Sequence, residues 1–312
     1  MKTELKKLIA LFRLSLSLLL IFGSSCHKIR DDPSPALRPP SVPLVVHDPY
    51  FSIWSPADRL NERETVHWTG SNHPLHSILR IDGVSYRVMA NQPSFAEPLK
   101  QIAVRVYPTR TIYQFQNEMV RLELIFTTPA LAYNPDVLSR PVTYVSWKIG
   151  SVDRKKHDVQ VYFDCGADLA VNDPEQLVQW DVPPVRGLTA IRLGSSDQPV
   201  LAKKGDKLCI DWGYAYVAIP ETQKADMKVG SRKELVKSFI SDGIVSAPGR
   251  LPRPQNVKDH ELTIGTSWNL GHIESTEKTS MVLLAYDDIY AIRYFDEFLP
   301  AWWKRDGMSM EH

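Results

Sequence analysis

Across residues 119–126 every second side chain is apolar: Val120, Leu122, Leu124 and Phe126 alternate with positions that include Arg121 and Glu123. A period of two sends successive side chains to opposite faces of an extended chain, so this segment reads as a strand with one buried face. The same alternation recurs at Ile102, Val104 and Val106, at Val145, Trp147 and Ile149, and at Val159, Val161 and Phe163. Residues 78–81 and 84–89 flank Asp82-Gly83, a dipeptide suited to the two-residue type I′ hairpin. Residues 43–55 read as strand–turn–strand around Asp48-Pro49, and 188–193, 214–219, 261–267 and 280–286 are further strand candidates. About a dozen short strands with turn signals between them predict a mainly β chain, a large two-layer antiparallel β-sandwich with one or two short helices.

Helix is scarce because 23 prolines outnumber 15 glycines and break helical runs. Residues 231–240 predict one helix, with Ser231 and Glu234 spaced as a capping box and Leu235, Val236, Phe239 and Ile240 as its apolar stripe. Asp242-Gly243 closes it. A second helix is expected from Asp288 through Tyr290, Arg293, Tyr294 and Phe298 toward Pro300. Of the 312 residues, 37 are basic and 36 acidic, and a net charge of +1 gives no electrostatic footing for nucleic acid.

The N-terminus has its own pattern. Lys2, Lys6 and Lys7 precede an apolar stretch at 8–22, and Gly23-Ser24-Ser25 leads into Cys26. A basic start, a short apolar run and small residues predict a signal peptide over residues 1–25. The run is shorter than the roughly 20 residues of a spanning helix. Cys26 stands where a bacterial lipoprotein is acylated, which predicts an exported lipoprotein on the outer membrane, facing the periplasm or the cell surface. An ordinary secretory signal with an incidental Cys26 is the alternative. Residues 26–41 are Pro-rich and suit a lipid-anchored tether.

Nucleotide-binding, zinc-protease and serine-hydrolase motifs are absent, and no Cys/His spacing suggests a metal or cofactor site. Residues 275–278 match S-x-x-K within a hydrophilic stretch that reads as a loop. His67-Trp68, followed by His73 and His76, either forms a ligand cluster or caps the core and lines the surface. Asp287-Asp288 either supplies paired acid–base carboxylates or caps the following helix. Trp54, Trp68, Trp180 and Trp212 are aromatic candidates for a binding face. Cys165 and Cys209 either pair or are simply buried. Trp302 and Trp303 would expose much apolar surface unless they fold back or meet another domain.

Several stretches together resemble the glutaminase A-like family of bacteria and fungi. PLVVHDPYFSIWS at 43–55, TVHWTG at 65–70 and LRIDGVSY at 79–86 are similar to its N-terminal segment, here 42–95. YNPDVLSRPVTYVSW at 133–147, WGYAYVAIP at 212–220 and DDIYAIRYFDEFLPAWW at 287–303 resemble its β-sandwich domain, here 96–312, and the exit from it. The resemblance implies an exported enzyme that hydrolyses L-glutamine, with an α/α toroid of the six-hairpin type following the sandwich. It places no family catalytic residue on this sequence. The expectation is therefore a non-catalytic portion, with Trp302 and Trp303 at the junction with a toroid that is missing or separately encoded. An independent glycan- or peptide-binding module is the alternative.

Overall fold

The computed structural model describes residues 38–246, 249 and 251–311. Residues 1–25 and Cys26 lie outside them, as does most of the 26–41 tether.

The alternating segments form two facing antiparallel sheets. The larger has nine strands. Its spatial order is Gln255–Asn256, Leu177–Asp181, Leu188–Ser195, Tyr214–Pro220, Lys278–Asp287, Val142–Ser151, Val120–Thr127, Arg110–Gln116 and Gln101–Tyr107. The smaller has six: Asp226–Ser231, Leu262–Ile273, His157–Gly166, Leu75–Ile81, Val84–Met89 and the short Glu97–Pro98, this last pairing in parallel. Val120, Leu122, Leu124 and Phe126 all turn inward, as the period of two requires. Asp82 and Gly83 both take positive φ, 48° and 88°, so Ile81 pairs directly with Val84 in the expected tight hairpin.

Trp147 joins the two layers. Its ring meets Phe163 and Trp268 of the opposite sheet edge-to-face, with centroids 5.4 and 5.1 Å apart. Its indole N–H donates to Ser77 Oγ (3.1 Å), and Ser77 donates in turn to the Tyr162 carbonyl (3.0 Å). A ring of that size fully buried in an edge-to-face cluster is a large share of the core's cohesion.

The smaller sheet is covered on its outer face too. The helix Arg232–Asp242 packs Leu235, Val236 and Phe239 onto Ile78 and Tyr162, while Leu79, Val161 and Phe163 face the inter-sheet core. Burial on both sides explains why 78–81 and 159–163 read as nearly continuous apolar runs. The helix ends on Gly243 (φ 76°), whose N–H bonds the Phe239 carbonyl. Ser231 precedes the helix but makes no side-chain capping bond, so the expected capping box does not form.

A larger correction concerns residues 288–300. The expected second helix is a β-hairpin, Ile292–Tyr294 against Glu297–Leu299, followed by a single 3₁₀ turn at Trp302–Lys304. Ile289 (φ 60°) and Phe295 (φ 52°) sit in the left-handed region, which interrupts an α-helix at both places. Tyr290, Arg293, Tyr294 and Phe298 mimic helical spacing, but the last three occupy an exposed two-stranded ribbon and Tyr290 precedes it. The alternative role of Asp287 or Asp288 as a helix cap lapses with the helix.

Candidate functional site

Five chain segments meet at one end of the sandwich and line a cavity of about 350 Å³, with Leu138, Ser139 and Pro141 supplying one of them. Residues 47–51 form one wall, Ile210 and Trp212 a second, and Tyr286 with Asp288 a third; Ala301 and Trp303 close it.

The 47–51 turn has a local cause. Asp48 Oδ1 accepts from the backbone N–H groups of Tyr50 (2.7 Å) and Phe51 (2.9 Å), an Asx turn that aims both rings inward. Tyr50 then meets Trp212 edge-to-face at 5.2 Å, and Phe51 meets Tyr286 at 5.5 Å. The Tyr286 hydroxyl donates to the Trp212 carbonyl (2.7 Å). Gly213, at φ 76°, passes so close to the Asp287 carbonyl that a Cβ there would sit 2.1 Å from it. Only glycine permits that approach, which locks the 210–212 and 286–288 walls together.

Asp287 and Asp288 have separate tasks. Asp287 Oδ1 accepts from Lys304 Nζ (2.7 Å) and from the Ile289 N–H (2.9 Å), so it organises the turn out of its strand. Asp288 lines the cavity, and its Oδ1 is buried without a hydrogen-bond partner. Burial, then repulsion from Asp287 and Asp48, pushes its carboxyl up to about 6, with Lys304 opposing.

The tryptophan pair also divides. Trp303 is 4% exposed and packs into the cavity wall with its indole N–H unpartnered. Trp302 is 54% exposed; its N–H donates to Asp136 (3.1 Å), and Arg305 lies over its ring while pairing with the same carboxylate at 2.7 Å.

The histidine cluster meets the same turn from another direction. His67 Nε2 and Trp68 Nε1 both donate to the Pro49 carbonyl, at 2.8 and 2.6 Å. With Nε2 carrying the proton, His67 Nδ1 is the acceptor facing Thr69 Oγ1 (2.8 Å) and Cys209 Sγ (3.7 Å). Burial pushes the Cys209 thiol up, so this is a protonated thiol and not an activated nucleophile. His73 is fully buried with neither ring nitrogen bonded, and burial lowers its pKa to about 3. His76 belongs elsewhere: its Nε2 bonds Glu64 at 2.7 Å on the far side of the smaller sheet's core face. Cys165 and Cys209 are both free and buried.

The structure thus brings His67, Trp68, Asp287, Asp288 and Trp303 around one turn and one cavity, and sets Trp302 outside it. Of the four candidate tryptophans, Trp68 alone is exposed; Trp180 and Trp212 are buried and Trp54 is partly so. Sequence reasoning passed over His47, Asp48, Tyr50, Tyr286 and Lys304. The Asp48-Pro49 turn signal was their only local trace. His47 bonds Thr143 Oγ1 (3.1 Å) and burial holds it neutral, with its pKa lowered to about 4. Among the described residues no group of His, Cys, Asp and Glu is arranged to hold a metal ion, and no helix is long and apolar enough to cross a membrane.

Comparison with known proteins adds family context. A family model described as domain of unknown function DUF4964 matches residues 24–99, and one described as domain of unknown function DUF5127 matches residues 109–312. Glutaminase A of Aspergillus oryzae (strain ATCC 42149 / RIB 40) is 25% identical over 297 residues. That match takes in 87% of this chain and 40% of the fungal protein, so the chain spans less than half of that relative's length. Two solved structures share limited similarity. One is a putative kojibiose phosphorylase from human microbiome, 7% identical, covering 74% of this chain and 24% of that one at a TM-score of 0.35. The other is a galactose mutarotase related enzyme from Lactobacillus acidophilus, 8% identical, covering 78% and 97% at a TM-score of 0.33. Likenesses at that level carry no argument about function. The chain is glutaminase A-like in sequence and mainly β in fold, and, with one family model spanning well over half its length, it belongs to the family described as domain of unknown function DUF5127.

Proposed function

We propose that this chain is the non-catalytic β-sandwich portion of a glutaminase A-like exported amidohydrolase, whose parent reaction converts L-glutamine and water to L-glutamate and ammonia. The observation that carries this reading is the match to glutaminase A over 87% of this chain against 40% of that protein. The site geometry agrees with it. Asp287 is held by Lys304, Cys209 is a buried thiol, and Asp288 Oδ1 has no hydrogen-bond partner among the described residues. In this reading hydrolysis belongs to the six-hairpin α/α toroid that the family resemblance implies. The exposed ribbon with Tyr294, Phe295 and Phe298, together with Trp302, is the face on which that toroid would pack.

Ammonia release from L-glutamine by the purified chain tests the reading. No release is expected, and sustained release would place catalysis in the sandwich. Export and anchoring through Cys26 complete the proposal: Cys26→Ala should move the protein from the membrane to the soluble fraction of a bacterial host. Unchanged membrane retention would rule out the lipid anchor.

A second reading, a ligand-binding module, is favoured by one observation. Asp288 Oδ1 and Trp303 Nε1, both buried and both unpartnered, line the same cavity.

A further inference from the structure

We infer that the cavity at the end of the sandwich binds a small organic cation, a protonated amine whose neighbouring group is a neutral hydrogen-bond acceptor such as an amide or hydroxyl. This goes beyond the hydrolytic reading and stands whether or not the chain is part of an amidohydrolase.

Three orphaned groups belong to residues that line the cavity, Asp288 Oδ1, Trp303 Nε1 and Ser139 Oγ; the hydroxyl can donate or accept, so the other two set the polar requirement. An indole N–H can only donate, so Trp303 needs an acceptor from whatever fills the cavity. An ionised carboxylate can only accept, so Asp288 needs a donor. Leaving either group buried without a partner is costly, and native proteins rarely do so without a reason such as ligand binding.

Charge decides between a neutral and a cationic donor. Asp48 and Asp288 line this space with Asp287 beside them, none of the described residues lining it is Lys or Arg, and the neighbouring Lys304 ammonium is held by Asp287 at 2.7 Å. His47 on the cavity wall is neutral. The carboxylates therefore outnumber the available positive charge, a field that attracts an ammonium group and repels an anion. Aromatic walls add to this. Tyr50, Trp212 and Tyr286 bring aromatic side chains to the cavity wall, and such rings attract cations; the Trp303 ring already carries the Lys304 ammonium at 5.4 Å. The same field disfavours a ligand carrying a free carboxylate beside its amine, so the acceptor offered to Trp303 should be uncharged.

The probe is β-alaninamide, with 3-hydroxypropanamide as its neutral match and β-alanine as its carboxylate match. The readout is the indole N–H region of a ¹H–¹⁵N spectrum of the full chain at pH 7.5, in which the Trp303 resonance is identified by its loss in Trp303→Phe. β-Alaninamide should shift that resonance in a saturable way. The hydroxyl and carboxylate analogues should bind about tenfold more weakly or worse, as should β-alaninamide to Asp288→Asn, because the hydroxyl compound and the variant each lose a charge-assisted hydrogen bond and β-alanine brings a carboxylate into a negative field. The remaining seven indole signals report whether each variant is folded. Equal shifts from the amine and the hydroxyl compound would overturn the cationic assignment in favour of a neutral-ligand site. An unmoved Trp303 signal at saturating amine would mean that water satisfies both orphans, and the inference would fail. Retained affinity in a folded Asp288→Asn protein would also refute it.

Discussion

Asp164 and Asp288 are both acids withdrawn from solvent within one sandwich, yet their surroundings differ in kind. Asp164 lies under the helix with both oxygens engaged: Arg232 Nε donates to one at 3.2 Å, and the Tyr162 hydroxyl donates to the other at 2.8 Å. Arg232 in turn donates to Thr263 Oγ1 at 3.0 Å. Asp288 has repelling carboxylates beside it, a lysine committed to one of them, and an oxygen with no partner. The closed cluster fastens a helix to a sheet. The open one retains hydrogen-bonding capacity that nothing in the fold consumes. A buried polar network satisfied internally is structural, whereas an unmet group on a cavity wall leaves capacity that a ligand or water can fill.

Substitutions can break this contrast. The largest effect is expected from Arg232→Met, which strands the Asp164 carboxylate in the interior and should cost about 3–5 kcal/mol in urea denaturation at neutral pH. A loss below about 1 kcal/mol would mean that Asp164 does not depend on Arg232, and the closed cluster would not be the fastening described.

Asp288→Asn should act in the opposite direction. The folded state holds this carboxyl at about 6, above its unfolded value near 3.9, so the wild type loses stability as pH rises through that window. The asparagine variant avoids the loss. It should match the wild type at pH 3.5 and exceed it at pH 8 by about 2 kcal/mol, allowing for partial solvent screening. A pH-independent difference would remove the carboxylate as its source.

Smaller effects sharpen the comparison. Tyr162→Phe removes one donor from Asp164 and leaves an acceptor short, a cost of about 1–2 kcal/mol by thermal or urea unfolding. Trp303→Phe should cost less than about 1 kcal/mol, because its N–H makes no bond to lose and the ring borders open space. If Trp303→Phe proved the more damaging of the two, Trp303 would be serving the core and not the cavity.

Much of the architecture was legible locally. Val120, Leu122, Leu124 and Phe126 declare their strand because alternation is a property of neighbouring residues, and Asp82-Gly83 declares its hairpin because the backbone angles it favours are its own. Residues 288–300 misled because Tyr290, Arg293, Tyr294 and Phe298 recur at helical intervals. The positive φ of Ile289 and Phe295 overrides that spacing, and no sequence rule assigns such angles to β-branched or bulky side chains. The site was legible only in fragments. His67-Trp68 and Asp287-Asp288 stood out as separate pairs, and nothing in the chain announced that the Asp48-Pro49 turn would receive both.

The sequence alone determined a β-sandwich of alternating strands with one covering helix, since strand period, turn chemistry and apolar stripes are written over a few adjacent residues. Only the tertiary structure decided the cavity. Its walls come from residues 47–51, from Leu138, Ser139 and Pro141, from Ile210 and Trp212, from Tyr286 and Asp288, and from Ala301 and Trp303, distant in the chain and joined in part by the sheet register that lays Tyr214 opposite Asp287. Whether Asp288 and Trp303 find partners depends on that long-range convergence, because hydrogen bonding is satisfied or left open by neighbours in space.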